Sequence, residues 1–248
     1  MQFEFSGQTI AINIPNWSEL EHELRARFQR REGFALATVN LDHLAKMTRD
    51  TEFVAAYAAQ DLVVADGRPV VWLSQLAGQP VDLLPGSEII EPLCRLAADC
   101  GVRVGMVGST KEALADASQV LVAHAPGLDV ALQIAPSGEF DPDGEEAATI
   151  LERLCDEQIQ MCFLALGAPK QEKLAKRGRA EAPSVGFVSI GAGLDFLGGH
   201  QVRAPRWTRV IAMEWLWRAM SDPVRLVPRY ARCFAILPGQ VVQAIRQR

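Results

Sequence analysis

The sequence predicts an α/β protein with a mostly parallel, doubly wound sheet, and three observations support this. Runs such as FALATVN (34–40) and MCFLALG (161–167) are apolar throughout, which is typical of strands buried on both faces. Amphipathic helical patterns separate the runs, as the crossovers between parallel strands require. Glycines and polar residues stand where the runs end, and doubly wound sheets bind their ligands at that edge. The expected architecture is therefore Rossmann-like.

Taken in order, the first 30 residues predict a small β-hairpin and a helix. Uninterrupted apolar runs then predict the strands of the sheet at 34–40, 62–66, 102–108, 128–135, 161–167 and 185–191. Amphipathic patterns between them predict helices at 41–59, 69–76, 88–100, 110–124, 145–156 and 170–180. Right-handed crossovers place the carboxyl ends of these strands at one edge of the sheet.

After Gly199 the pattern changes to helices alone. Four prolines interrupt them: Pro205, Pro223, Pro228 and Pro238. We expect Pro223 to begin a new helix, with Asp222 as its cap. The chain thus divides into an α/β domain at 1–199, which would carry the chemistry, and a helical, basic C-terminal appendage at 200–248.

Composition bounds the class of protein. The 248 residues are 49% hydrophobic and 22% charged, the balance of a soluble globular protein with a self-supporting core. The chain starts without the basic-then-apolar pattern of a secretory signal, and no run reaches the ~18 apolar residues of a membrane-spanning helix. A cytoplasmic protein is expected. Scattered cysteines and isolated histidines predict neither a disulfide framework nor a metal site, and no cofactor is expected.

The formal net charge of −5 is unevenly distributed. Residues 206–248 carry eight arginines and two acidic side chains, a balance of +6, so the rest of the chain carries −11. This predicts that the basic tail alone meets an anionic partner, and it argues against nucleic acid, which usually requires a basic face on the body. The tryptophans in RAPRWTRVIAMEWLWR (203–218) favour an anionic membrane surface; a solvated basic face is the alternative.

The appendage offers two further features. Its arginines Arg218, Arg225, Arg229 and Arg232 are spaced 7, 4 and 3 residues apart, which would align them on one helical face, approximately so across the break at Pro223. The apolar segment CFAILPGQVV (233–242) is expected to pack against lipid or against a neighbouring subunit of a homo-oligomer.

Candidate site residues stand at the carboxyl ends of the predicted strands. Thr38 and Asn40 close the first strand and share one side of it, and Asp66 closes the second, directly before Gly67. Turns after later strands add Gly108, Ser109, Gly167, Gln171 and Asp195. This convergence fits a nucleotide or phosphate site, with helix N-termini offering N–H groups to anions.

Each feature alone has a plainer interpretation. The glycines can be ordinary turns, Asp66 can be a helix N-cap, and GMVGST lacks the G-x-G-x-x-G spacing of a dinucleotide site. Asp141-Pro142-Asp143 resembles a metal-binding D-x-D motif, but the helix that follows favours Asp143 as a turn and cap residue.

In combination, the segments resemble the WecG/TagA/CpsF family of bacterial glycosyltransferases. The matching segments follow the family's order over about 34–232: ATVNLDHL, VVADGRPVVW, GMVGSTKEAL, ALGAPKQEK, IGAGLDFLGG and RAPRWTRVIAMEWLWRAMSDPVRLVPRY. The resemblance implies inverting, metal-independent sugar transfer from a UDP-sugar to a polyprenyl-diphosphate-linked sugar. The sugar would be of the N-acetylmannosamine type, its uronate or a hexose, for teichoic acid or exopolysaccharide. The protein would lie on the inner face of the cytoplasmic membrane.

The resemblance also implies roles for residues. Asp66 matches the proposed general base, and Thr38, Asn40 and Gln171 match polar pocket residues. The appendage would close over the site and bring arginines to the diphosphate, with Arg225 and Arg229 first and Arg218 and Arg232 next. Further substrate contacts are expected from Gly67, Gly108, Ser109, Gly167 and Asp195. Such a transfer needs a carboxylate to accept the acceptor's proton and fixed cations to offset the leaving group's charge.

The sequence departs from the family pattern at two arginine positions, which here are Leu83-Leu84 and Pro228, and Glu88 replaces an aspartate. The leaving-group contacts are therefore expected to differ. Two alternatives stay open: a nucleotide-cofactor oxidoreductase, which the fold permits and the missing fingerprint opposes, and a catalytically impaired binding or scaffold protein.

Overall fold

A six-stranded, all-parallel sheet forms the centre of the protein, whose computed structural model describes residues 1–201 and 223–248. An antiparallel hairpin of β1 (Gln2–Phe5) and β2 (Gln8–Ala11) precedes it. The sheet strands are β3 (Phe34–Val39), β4 (Leu62–Ala65), β5 (Arg103–Gly108), β6 (Asp129–Ile134), β7 (Met161–Ala165) and β8 (Gly186–Ser189). Their order is β4-β3-β8-β7-β5-β6, which confirms the predicted fold class.

Helices cover both faces of this sheet. They are α1 (Trp17–Arg30), α2 (Leu41–Met47), α3 (Thr51–Ala58), α4 (Arg68–Leu76), α5 (Gly86–Cys100), α6 (Lys111–His124), α7 (Glu145–Asp156), α8 (Lys170–Glu181), α9 (Gly193–Leu197) and α10 (Pro223–Arg246). One face packs against α1, α5, α6 and α9. The opposite face packs against the hairpin and α2, α3, α4, α7, α8 and α10.

The third strand shows why the apolar runs are uninterrupted. All six residues of β3 are buried, because the strand lies inside the sheet between β4 and β8. Leu36 packs into the cluster on the α1 and α5 side, whereas its neighbour Ala37 packs into the cluster on the α2 and α3 side. Successive side chains thus enter different cores, and both must be apolar.

The single helix predicted at 41–59 is wrong, since the chain forms α2 and α3 with a turn between them. Asp50 has an extended backbone, and its Oδ1 accepts a hydrogen bond of 2.9 Å from the N–H of Phe53. A carboxylate at this position caps a new helix better than it continues an old one.

The prediction that Pro228 and Pro238 interrupt the C-terminal helices is also wrong, because both lie inside α10. Both prolines are exposed, so water can reach the carbonyl groups that a proline leaves without an N–H partner. Pro205 and Asp222 lie outside the described residues.

The second half of α10 is joined firmly to the body. Ala244 is fully buried in the core that contains the hairpin and α4. The side chain of Gln247 exchanges two hydrogen bonds with the backbone of Gln2, at 3.0 Å to its N–H and 2.5 Å to its carbonyl oxygen. A domain boundary near 199 stays a prediction, since residues 202–222 are not among those described.

Candidate active site

Asn40 and Asp66 meet at the carboxyl edge of the sheet, where the neighbouring strands β3 and β4 end. The Asn40 Nδ2 donates a hydrogen bond of 3.1 Å to Asp66 Oδ2. The Asn40 Oδ1 accepts one of 3.1 Å from the N–H of His43 and so caps α2. Both ends of the amide are therefore engaged, and the amide holds the half-buried carboxylate of Asp66 in one orientation.

Next to Asn40 lies a buried polar cluster of Thr38, His43 and Tyr57. The Tyr57 hydroxyl donates a hydrogen bond of 2.8 Å to the carbonyl oxygen of Thr38 and lies 2.9 Å from Nδ1 of His43. Because the hydroxyl's one proton goes to Thr38, Nδ1 of His43 must carry a proton and donate to Tyr57. Burial lowers the pKa of His43 to about 4, so its imidazole is neutral at pH 7. The Thr38 side chain itself is 4% exposed.

Glycine at position 67 begins the helix that follows Asp66. Gly67 is the N-cap of α4 and has a φ of 96°, a conformation that L side chains rarely adopt. The alternative of Asp66 as the helix cap is therefore wrong. Asp143 is likewise not a cap, because Gly144 precedes α7 and Asp141 Oδ1 accepts a hydrogen bond from the N–H of Asp143.

The turn after β5 approaches its neighbour closely. Gly108 has a φ of 126°, and a side chain there would collide with the carbonyl of Ala165. Ser109 follows with a φ of 55°, and its hydroxyl donates to Oδ1 of Asp195 in α9. The second oxygen, Oδ2, accepts a hydrogen bond of 3.0 Å from Gln201. The structure thus brings Ser109 and Asp195 together.

Gln171 and Glu172 form a buried pair at the start of α8. Gln171 is 2% exposed, and its Oε1 accepts a hydrogen bond of 3.0 Å from the N–H of Gly191. Its Nε2 donates one of 2.8 Å to Oε1 of Glu172. The predicted sugar-binding amide therefore already joins the turn after β7, which includes Gly167, to the turn after β8.

Glu172 was not predicted from the sequence. Its side chain is fully buried, and among the described residues its Oε2 has no hydrogen-bond partner. Burial raises the pKa of this carboxyl to about 7. The signal was its spacing, because Glu172 stands three residues before the buried Ala175 and so lies on the same side of α8.

The C-terminal arginines differ in what the structure shows. Arg229 Nε lies 2.8 Å from Oδ1 of Asp42 in the first turn of α2. Arg232 is exposed, and its Nε donates to the carbonyl oxygen of Pro228 within α10. Arg225 lies in α10 four residues before Arg229, and its side chain is outside the description. Arg218 falls within the undescribed residues 202–222.

Nearly the whole chain also matches one known protein family. The model of the WecG/TagA/CpsF glycosyl transferase family matches residues 8–248. The chain belongs to this family. Membership makes it a glycosyltransferase of cell-surface polysaccharide synthesis, a class that takes a nucleotide-sugar donor and a glycolipid acceptor.

Family membership directs attention to the position without the family's arginine. The segment before α5 returns to the sheet edge, where the N–H of Leu84 donates a hydrogen bond of 2.8 Å to the carbonyl oxygen of Ala65, directly before Asp66. Leu84 is buried, and Leu83 borders a shallow surface pocket with Trp17 and Glu88. In this transferase an apolar segment therefore stands beside Asp66, at a position where the sequence departs from the family pattern.

Within the described residues we find neither a metal-binding cluster nor a membrane-spanning helix. Across 1–201 and 223–248, no three or more His, Cys, Asp or Glu side chains are grouped so as to hold a metal ion. Over the same ranges, no helix of this transferase is both long enough and apolar enough to cross a bilayer, α10 included.

Proposed function

We propose that this glycosyltransferase moves a sugar of the N-acetylmannosamine type, its uronate or a hexose from a UDP-sugar to a polyprenyl-diphosphate-linked sugar. The transfer inverts the anomeric centre and uses no bound metal. The observation that carries the proposal is the hydrogen bond between Asn40 and Asp66 at the carboxyl edge of the sheet. Ligands of doubly wound sheets bind at this edge, and family membership supplies the reaction class.

Asp66 is the proposed general base. As the acceptor hydroxyl oxygen forms a bond to the anomeric carbon, its proton passes to the Asp66 carboxylate. The bond from that carbon to the diphosphate breaks on the opposite side, and its electron pair leaves with UDP. Asn40 contributes by holding one carboxylate oxygen at 3.1 Å. A positioned base of this kind accelerates a reaction by roughly 10²- to 10⁴-fold.

The leaving diphosphate requires positive partners. We assign this role first to Arg225, with Arg218 and Arg232 as further contacts, since fixed cations stabilise charge that develops in a transition state. Arg229 already has Asp42 as its counter-ion, which reduces the charge it offers to a diphosphate. Backbone and side-chain contacts to the nucleotide and sugar are proposed for Thr38, Gly67, Gly108, Ser109, Gly167, Gln171 and Asp195.

Exposed apolar side chains support a place on an anionic membrane surface, at the inner face of the cytoplasmic membrane. In α10, Val224 is 88% exposed, Val227 52% and Ile245 56%, and in the adjoining α4, Trp72 is 51% exposed. Apolar and basic residues on one amphipathic helix fit the boundary between headgroups and acyl chains. The alternative occupant of this surface is a second copy of the chain.

Sugar transfer from a panel of UDP-sugars to a lipid-diphosphate-linked GlcNAc or glucose tests the function. We expect transfer from at least one donor at a rate that excess EDTA does not change. If UDP binds and no donor is used, the chain is instead a binding member of the family, as the apolar segment at Leu83-Leu84 would favour.

Binding of the exposed apolar side chains of α10 to a membrane can be tested separately. Val227→Glu and Ile245→Glu are each expected to weaken binding to phosphatidylglycerol vesicles by about ten-fold, because burying such a side chain contributes about 1–2 kcal/mol. Vesicle co-sedimentation measures this. Val122→Glu is the control, since Val122 is 44% exposed on α6, at the other face of the sheet. Equal binding by all three variants would exclude α10 as the membrane contact.

A further inference from the structure

Asp42 joins two cations from different elements. Its side chain is 11% exposed, and Arg229 Nε of α10 lies 2.8 Å from Oδ1. On the other oxygen, Lys46 Nζ of α2 lies 3.1 Å from Oδ2. Burial favours the neutral form of this carboxyl, but the charges of Arg229 and Lys46 outweigh burial and lower its pKa. At neutral pH, Asp42 is therefore a carboxylate that attracts both cations by charge, since among the described residues neither Arg229 Nε nor Asp42 Oδ2 makes an aligned hydrogen bond.

This cluster differs from the surface ion pairs of the protein. Arg103 and Asp129, for example, approach to 3.2 Å, but their side chains are 37% and 58% exposed. Water and salt screen such a pair, which leaves little energy in it. Arg229 is 39% exposed, much like Arg103, but the Asp42 carboxylate is only 11% exposed, so the attraction between them is screened less on the side of the carboxylate.

The cluster also reaches two parts of the candidate active site. Asp42 follows Asn40, the partner of Asp66, by two residues in the chain. Lys46 donates a hydrogen bond of 3.1 Å to the carbonyl oxygen of Ala168, in the turn between β7 and α8. Asp42 therefore stands between the C-terminal helix and the two segments that carry Asn40 and Gln171.

The two halves of α10 are attached differently. Ala244 and Gln247 tie the C-terminal end to the core and to the hairpin. In the first half, Val224 and Val227 are exposed, and the ion pair of Arg229 with Asp42 links this half to α2. Leu226 and Cys233 of this half are buried, and the ion pair of Arg229 adds a charged contact that links the half, which includes Arg225, to α2.

Building on the proposed function, we propose that Asp42 is a positioning residue for sugar transfer. By holding Arg229, it sets where the first half of α10 stands beside the site and so where Arg225 is presented to the diphosphate. Arg229 acts as the anchor of the helix, and Asp42 does not touch the substrate.

The test removes the charge and keeps the shape. In full-length Asp42→Asn, backbone amides of residues 226–233 are expected to exchange with deuterium about ten-fold faster, while those of 239–246 are unchanged. Sugar transfer is expected to fall about ten-fold, and the Kd for UDP is expected to rise with it, because Arg225 is proposed to meet the diphosphate that UDP carries. Arg229→Gln should reproduce these effects, and the double variant should be no worse than either single one, because the two residues act as a unit.

Two further variants keep the test specific. Asp42→Glu retains the charge and is expected to restore transfer to within about three-fold of the parent. Asp129→Asn breaks the exposed pair with Arg103 and should alter neither hydrogen exchange nor transfer. Unchanged exchange at 226–233 in both Asp42→Asn and Arg229→Gln overturns the proposal, as does faster exchange with full transfer. If the parent protein transfers no sugar, the proposed function fails, while exchange still decides whether Asp42 holds the helix.

Discussion

Replacement of Asp66 by Asn is expected to lower the rate of sugar transfer by roughly 10²- to 10⁴-fold, equivalent to about 3–5 kcal/mol of transition-state stabilisation. The amide keeps the size of the carboxylate but cannot accept the proton of the acceptor hydroxyl. Asn40 still borders the site, since its Oδ1 remains bonded to the N–H of His43. The loss should therefore appear in kcat, while the Kd for UDP stays within about two-fold.

Steady-state transfer and calorimetric UDP binding, measured on the same preparations, separate the two effects. Asp99→Asn is the matched control, because Asp99 is 64% exposed and pairs with Arg25 away from the strand ends. Full activity of Asp66→Asn would remove Asp66 as the base. Loss of UDP binding together with activity would instead assign Asp66 to donor binding.

The central part of this site was predictable because it follows from sheet geometry. Parallel strands end at one edge, so residues that close neighbouring strands must meet there. Asn40 and Asp66 close β3 and β4, which pair directly, and their hydrogen bond follows from that register. Ser109 directly follows β5, and Asp195 lies in the first turn of α9. Their side chains are hydrogen-bonded to each other.

Contacts between helices were not predictable in the same way. Asp42 and Arg229 are 187 residues apart in the sequence, and only the packing of α10 on α2 brings them together. The continuity of α10 through Pro228 and Pro238 was equally hidden, because a proline removes one hydrogen bond and crowds the preceding turn, yet a helix can kink there without ending. Both prolines face solvent, and that orientation is set by tertiary packing.

Glu172 shows how local pattern and tertiary burial conflict. A Lys-Gln-Glu-Lys stretch suggests an exposed first turn, yet Glu172 is fully buried beside Gln171. A buried carboxyl with one oxygen lacking a hydrogen-bond partner in the described part of the chain costs folding free energy. Glu172 accepts a hydrogen bond from Gln171, which in turn accepts one from the N–H of Gly191, so the cost accompanies the joining of two turns at the site.

The burial of Glu172 predicts that the stability of the folded protein depends on pH. The pKa of Glu172 is about 7 in the folded protein, because burial disfavours its charged form, against an ordinary value of 4.5. Between these values the folded state keeps a proton that the unfolded state releases, so stability falls as pH rises from 4.5 to 7. Glu172→Gln removes this dependence and keeps an oxygen to accept from Gln171. The free energy of unfolding of this variant, relative to that of the parent, should therefore rise by about 3 kcal/mol across that range.

Urea unfolding of parent and variant at pH 5, 6, 7 and 8 measures this difference directly. Glu152→Gln, at an exposed position of α7, supplies the control and should follow the parent at every pH. A constant difference between Glu172→Gln and the parent would show that Glu172 is ionised throughout and finds a counter-charge. Lys46 is the candidate, since its charge acts to lower the pKa of this carboxyl. That result would add Glu172 to the Asp42 cluster, with Lys46 as the charge that both carboxyl groups share. The expected fall in stability with rising pH would instead indicate that Lys46 pairs with Asp42 and that burial keeps Glu172 neutral.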